Sequence, residues 1–428
     1  MSNFDTVDFF TDPSLIEDPY PYFEYLRSKG PVVREPRHGV IAVTGYDEAV
    51  SIYRDNETFS SCNSVIGPFH GLPVQSAGDD ISELIEKHRD RLPMNEHMVT
   101  MDPPDHTNHR ALLMRLITPK RLRENEEFMW RLADRQLDEF IAKGKCEFIS
   151  DYSQPFAVQV IANLLGVPEE DHRLFRVRLG LNSPPGTITQ REKEQFSNLN
   201  SLAFLDGWFT AYIEDRRREP RKDVLTDLAF ARFPDGSTPE VVHVVRTATF
   251  LFAAGQETTA RLLASALKHL AEHPELQQLL RDNRGLIPNF IDETLRLESP
   301  VKSDCRLVRR TTRVGGIEIP AGATVVILNG AANRDPRRFE CPAEFRIDRP
   351  NANEHIAFGR GAHACPGGPL ARAEAKVSLG RILDRMREIR LSEAEHGAAG
   401  ARHFEYTPTY VLRGLSALHL EFTPTDGA

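Results

Sequence analysis

Phe358-Gly359-Arg360-Gly361-Ala362-His363-Ala364-Cys365-Pro366-Gly367-Gly368 is the stretch on which the fold of this chain turns. Glycines and a proline surround one cysteine, in a loop that runs into a helix. Such a loop can aim backbone N–H groups at a sulfur, and a helix N-terminus favours a thiolate. Taken alone, a cysteine near a turn is most often a buried free thiol. The chain carries five cysteines, Cys62, Cys146, Cys305, Cys341 and Cys365. They are few and odd in number, with no CxxC pair and no His-rich tract, so neither a disulfide framework nor zinc is indicated. A functional cysteine here acts alone, and its neighbours must identify it.

Outward from that loop, the 428 residues hold 53 basic and 62 acidic side chains, a net charge of −9. This acidic balance argues against a nucleic-acid partner. Hydrophobic residues make up 40% and charged residues 27%, as in soluble globular proteins. No run approaches the roughly 18 apolar residues of a membrane span. The start, Met1 to Asp12, is polar and acidic, without a signal peptide's apolar region. These features predict a cytoplasmic protein without a membrane anchor. At about 150 residues per domain the length allows two or three domains, and it suffices to enclose a large prosthetic group.

The pattern is mainly helical. It predicts helices over 14–29, from Asp47, over 105–145 with a break at Thr118-Pro119, over 155–165, through 196–218, over 286–297 and over 367–388. Strands are expected at Val40–Thr44, Arg313–Ile319 and Thr324–Leu328, a loop at 182–186, and irregular chain over 60–100. The strongest element is 239–272. Ser237 and Glu240 have capping-box spacing, Pro239 suits a first turn, and His273-Pro274 ends the helix. At 1.5 Å per residue it spans about 50 Å. Its apolar middle, Phe250–Gly255, predicts burial on all sides. No βαβ series and no GxGxxG is present, so a dinucleotide fold is not indicated.

Phe358, Gly361, Cys365 and Gly367 together form FxxGxxxCxG, and His363 falls between them. Four further segments occur in order: Asp18-Pro19-Tyr20-Pro21, then Met101–Arg110, then Ala254-Gly255-Gln256-Glu257-Thr258-Thr259, then Glu293-Thr294-Leu295-Arg296. Ala332–Phe345 precedes the cysteine loop. In these motifs and their order the chain resembles the cytochrome P450 superfamily, the haem-thiolate monooxygenases, over nearly its whole length. The resemblance implies a mainly α fold with small β-sheets. It implies one prism-shaped domain over 1–428 with no fused reductase, and haem b held between the long distal helix and the proximal cysteine loop.

Residue by residue, the resemblance makes Cys365 the iron ligand, bound as thiolate and pushing electron density onto the metal. His106, Arg110, Arg306 and His363 become partners of the haem carboxylates, arginine because its fork binds both oxygens. Ala254, Phe358 and Gly367 are further cofactor contacts. Glu293 and Arg296 form a structural ion pair, linked to an arginine or asparagine of 332–345, and not a chemical one. Glu257 and Thr258 are the catalytic pair: Thr258 bonds back to the Ala254 carbonyl and loosens the helix, and Glu257 relays protons for the activation of dioxygen. Pro366 stands where the family often has an N–H facing the sulfur, and proline has none. It also suits the first turn of the following helix, and its missing N–H predicts a more electron-donating thiolate.

Pocket residues implied by the resemblance are Ala253, Ala254, Val301 and Val411, with Tyr410, Leu412 and Phe69 nearby, for a mainly apolar small organic substrate. Electrons are expected from a ferredoxin and an NAD(P)H-dependent ferredoxin reductase. Arg115, Lys120, Arg121, Arg123, Arg360 and Arg372 are candidate docking residues. Two alternatives stand beside the monooxygenase: a peroxide-driven peroxygenase, which needs no Glu257–Thr258 relay, and a haem sensor, which needs no opening for an organic ligand.

Overall fold

The computed structural model describes residues 4–65, 67, 72, 78–172 and 202–425. The expected loop at 182–186, the helical start at 196–201 and Phe69 lie outside the described residues.

The long helix runs from Val241 to Glu272, about 48 Å at 1.5 Å per residue. It begins later than the capping-box spacing predicts. Ser237 does not cap it: its hydroxyl donates to Asp235 Oδ1 at 2.6 Å, inside an Asp235-Gly236 turn. An Asx-type turn has taken the side chain that a cap would need. Nor is the apolar middle enclosed all round. Leu251 and Phe252 are buried, but Ala254 is exposed. The helix is continuous through 254–258, so the back-bond of Thr258 does not interrupt it.

This helix packs against the helices Gln154–Leu165, Ala203–Arg218 and Gly368–Arg385. Phe156, Ile161, Phe209, Phe252, Leu263 and Leu379 belong to the core they share. At Gly255 the approach is close: a Cβ would stand 3.3 Å from Ile161 Cγ1. Gly166, at φ 74°, ends Gln154–Leu165 as a left-handed cap. Thr118 accepts from the Arg121 N–H at 3.3 Å and starts Pro119–Asp138, which separates it from Asp105–Met114.

The main sheet has five strands in the order Val32–Arg34, Ile41–Val43, Thr324–Ile327, Asp304–Val308, Phe59–Ser60. The second and third are parallel, with Ala42 opposite Val326; the other pairs are antiparallel. A three-stranded sheet joins Lys145–Glu147, His419–Pro424 and Met386–Leu391. The expected strand Arg313–Ile319 is instead a hairpin of Thr312–Val314 and Ile317–Ile319. It turns at Gly315-Gly316, both at positive φ, the conformation that tight two-residue turns require. Within 60–100, expected to be irregular, Ser82–His88 is helical, with Asp80 accepting the Ser82 N–H and Ile81 and Ile85 buried four apart. The helix after the cysteine starts at Gly368, so Pro369 and not Pro366 occupies its first turn, and it ends at Arg385 where a strand begins.

Candidate active site

The cysteine loop owes its path to glycine. Gly359 and Gly361 have φ of 62° and 70°, and a Cβ on Gly361 would stand 2.1 Å from the Tyr53 carbonyl oxygen. No other residue fits there. The Cys365 N–H donates to the Phe358 carbonyl at 2.8 Å and closes the loop. Cys365 presents its surface to a cavity, yet protein encloses it closely. Burial pushes its thiol pKa up, against the Gly367 N–H, Arg110, the Gly368 N–H and Arg372. Those two backbone N–H groups aim at the sulfur. They follow Pro366, which has no N–H to offer.

The cavity has a volume of about 720 Å³ including its open mouth. Thr258, Thr259 and Leu262 of the long helix form one wall; Phe358, His363 and Cys365 form another. Pro300 and Val301 close a third side, and Tyr53 and Asn329 meet there through a 2.9 Å hydrogen bond. Sequence reasoning missed Tyr53 and Asn329, since nothing in their local pattern distinguishes them from core. Thr258 Oγ1 donates to the Ala254 carbonyl at 2.9 Å, and exposed Ala254 lies one turn earlier on the same face. Glu257 is ion-paired to Arg261.

Two expected pocket residues are not among those that line this cavity. Ala253 packs on the main core. Val411 packs against the cluster of Phe10, Tyr22 and Tyr410, and its backbone carbonyl accepts the N–H groups of Lys302 and Ser303. Leu412 is buried and bridges Val301 in a β pairing.

The rings of His106 and His363 lie against each other, tilted by 34° with centroids 3.9 Å apart. Burial, then the Arg110 charge, lowers His106 to about 4; burial, then Arg306, lowers His363 to about 2. Arg110 Nη2 donates to the Ala364 carbonyl at 2.6 Å. Three buried nitrogens, His106 Nε2, His363 Nε2 and Arg110 Nη1, have no hydrogen-bond partner among the described residues. Buried polar groups are rarely left so. Beside a thiol, such orphaned groups fit a metal-bearing cofactor with carboxylate arms. Arg306 contributes less freely: its Nη1 is held by Asp304 at 2.9 Å and by the Cys305 carbonyl at 2.6 Å.

Asp102, at the start of the segment carrying His106, anchors this wall. Its carboxylate accepts from Ser60 Oγ at 2.5 Å, the Ser61 N–H at 2.9 Å, Arg89 at 2.7 Å and Arg309 at 2.5 Å. Burial opposes the charge, but Arg309 and these donors outweigh it and hold the pKa below the usual carboxylate value. A depressed carboxylate contributes stability that is present above its unfolded pKa and is lost as pH falls through the folded one. Asp102→Asn should therefore lower the urea midpoint at neutral pH and flatten the loss of stability below about pH 4. An unchanged acid limb in the variant would remove Asp102 from that role.

The structural pair is larger than expected. Glu293 and Arg296 are both 0% exposed, bonded at 2.7 and 2.8 Å. The further arginine is Arg349, which lies beyond 332–345 and donates to Glu293 at 2.9 Å; Asn333 offers Arg296 only its carbonyl.

Comparison with known proteins agrees with this geometry. The family described as Cytochrome P450 matches residues 193–388. Cytochrome P450 144 of Mycobacterium tuberculosis is 35% identical over 386 residues, covering 90% of this chain and 86% of that protein. The substrate-free structure of Mycobacterium marinum cytochrome P450 CYP150A6 superimposes with a TM-score of 0.92 at 60% identity, covering 99% of this chain and 100% of that one. CYP109E1 from Bacillus megaterium, in complex with corticosterone, has a TM-score of 0.78 at 28% identity, covering 95% and 98%.

Proposed function

Because this chain belongs to the cytochrome P450 family and is a haem-thiolate monooxygenase, we propose that it inserts one oxygen atom from dioxygen into a mainly apolar small organic molecule in the cytoplasm. The observation that carries this reading is one cavity with Thr258 and Cys365 on its walls and the orphaned nitrogens of His106, His363 and Arg110 beside it. The cofactor is haem b, and when bound it supplies reducible iron whose thiolate ligand favours O–O cleavage. Cys365 holds the metal; His106, Arg110, His363 and Arg306 hold the carboxylates. Thr258 offers a hydroxyl at the cavity wall, and Glu257 hands protons to water held there. The apolar lining by Leu262, Leu295, Val301 and Ala357 suits both the apolar face of the macrocycle and an apolar substrate beside it.

Residues 1–428 act in this reading as one domain, and electrons arrive from a ferredoxin and its NAD(P)H-dependent reductase. Arg123 and Lys120, the latter 3.8 Å from Glu124, are exposed and suit an acidic partner. Arg121 is already paired with Asp227, Arg372 with Asp292, and Arg360 with the carbonyls of Glu354 and His355. Arg115 donates to the Arg232 carbonyl. No helix among the described residues is long and apolar enough to cross a membrane.

Optical titration with a library of apolar compounds tests the reading. Binders should shift the Soret band, and Glu257→Gln should slow oxidation of such a binder by about 10²-fold. No shift with any apolar compound would sink the apolar-substrate reading. Equal turnover by the variant would sink the relay, and with it the preference over a peroxygenase.

A further inference from the structure

The assignment of Glu257 as proton relay leaves its partner unexplained. Arg261 follows four residues later, the favoured order for a helical ion pair. Its side chain is 7% exposed, against 29% for Glu257. Among the described residues Glu257 is the only carboxylate that Arg261 meets. The guanidinium is otherwise poorly held. Nη1 reaches Thr407 Oγ1 at a long 3.3 Å, and Nε is buried with no partner. Other cations lie near it: Lys302 is 3% exposed, and burial, then Arg413 and Arg261, lower its pKa to about 7 against Glu298, which is paired with Arg413. Glu298 serves Arg413, so the under-satisfied Arg261 depends for direct contact on Glu257.

Arg261 is also wedged into the C-terminal loop. It crosses Gly414, where a Cβ would stand 2.5 Å from its Cγ and 2.6 Å from its Nη1. Gly414 accepts the Thr407 N–H, so both contacts belong to one turn of chain. That turn is stitched to the cavity wall. The Arg413 N–H donates to the Pro300 carbonyl at 2.9 Å, and Val301 bridges Leu412. Pro300 and Val301 line the cavity. A continuous path therefore joins the cavity wall to the relay carboxylate: Val301, Leu412, Gly414, Arg261, Glu257.

We infer that Arg261 is a positioning residue which tethers Glu257 while the cavity is empty and releases it when a ligand presses on Pro300 and Val301, tying proton delivery to substrate occupancy. The inference rests on the proposed relay role of Glu257. Filling the cavity moves the 406–415 turn, the weak Thr407 contact yields first, and the carboxylate exchanges the guanidinium for water. Premature release would let reduced enzyme leak hydrogen peroxide without substrate.

The test is an infrared difference spectrum of the holoenzyme, with Glu257→Gln identifying the carboxylate band. Phenylimidazole fills the cavity, and its binding is followed separately by the Soret band. In the native protein the Glu257 stretch should move on binding. In Arg261→Met it should already sit at the moved position and not respond, while Arg261→Lys restores the response. Gly414→Ala, which displaces the guanidinium without removing charge, should mimic Arg261→Met and replaces it should that variant not fold. Substrate-free NADPH consumption with a surrogate ferredoxin and reductase should rise severalfold in both. A native band that ignores the ligand, or an Arg261→Met band that responds as the native one does, overturns the inference. Unimpaired oxidation by Glu257→Gln would instead overturn the relay on which it stands.

Discussion

Replacing Cys365 with serine should abolish the strongly red-shifted Soret band of the reduced carbon monoxide complex while leaving the helical circular dichroism unchanged. The loop does not depend on the sulfur for its shape. Gly359 and Gly361 set its path, the Cys365 N–H bonds the Phe358 carbonyl, and the following helix starts at Gly368. What changes is the donor. A thiol becomes a soft, strongly donating thiolate, helped here by the N–H groups of Gly367 and Gly368 and by Arg110. A serine hydroxyl in the same surroundings stays neutral and binds iron poorly. The carbon monoxide spectrum reads the axial ligand directly, so it separates loss of ligation from loss of fold. A serine variant that kept the red-shifted band would remove Cys365 as ligand. A native protein without it would remove the haem-thiolate assignment.

The second large effect is on stability. Glu293→Gln should destabilise the protein by about 3–5 kcal/mol, the range for breaking a buried ion pair from one side. One carboxylate here faces two guanidinium groups and the Arg346 N–H. The excess positive charge is absorbed by carbonyls: Arg296 donates to those of Asn333, Pro342 and Glu344, and Arg349 to those of Glu340, Cys341 and Glu344. The glutamine leaves two buried cations facing each other without a counter-charge. Arg349→Met should cost less, because Glu293 keeps Arg296. Urea midpoints of the three proteins check the order. Equal stability of Glu293→Gln and native protein would show that carbonyls alone suffice.

Much of this was legible along the chain, and the residues say why. Glu293 and Arg296 share a helical face three residues apart, and Thr258 reaches the Ala254 carbonyl four residues back, because helix geometry is local. The cysteine loop declares itself through glycines that only positive φ or close approach requires. Ser237 misled because two short-range partners, Asp235 and the helix start, competed for one hydroxyl. Arg349 was missed because it meets Glu293 across 56 residues of chain. Asp102 was visible in its motif, but its partners Arg89 and Arg309 come from opposite sides in sequence.

By itself, then, the sequence determined the family and the proposed metal ligand through the order of short motifs along the chain, and the helical frame and local pairs through spacings shorter than about two helical turns. Tertiary structure decided which of these face one cavity. It left Ala254 open where apolarity predicted burial, packed Val411 against Phe10 and Tyr22 and brought in Tyr53 and Asn329. It also set Arg261 between Glu257 and the C-terminal turn. Those choices depend on how separate elements cross and pack, and no local period of the chain encodes where two helices meet.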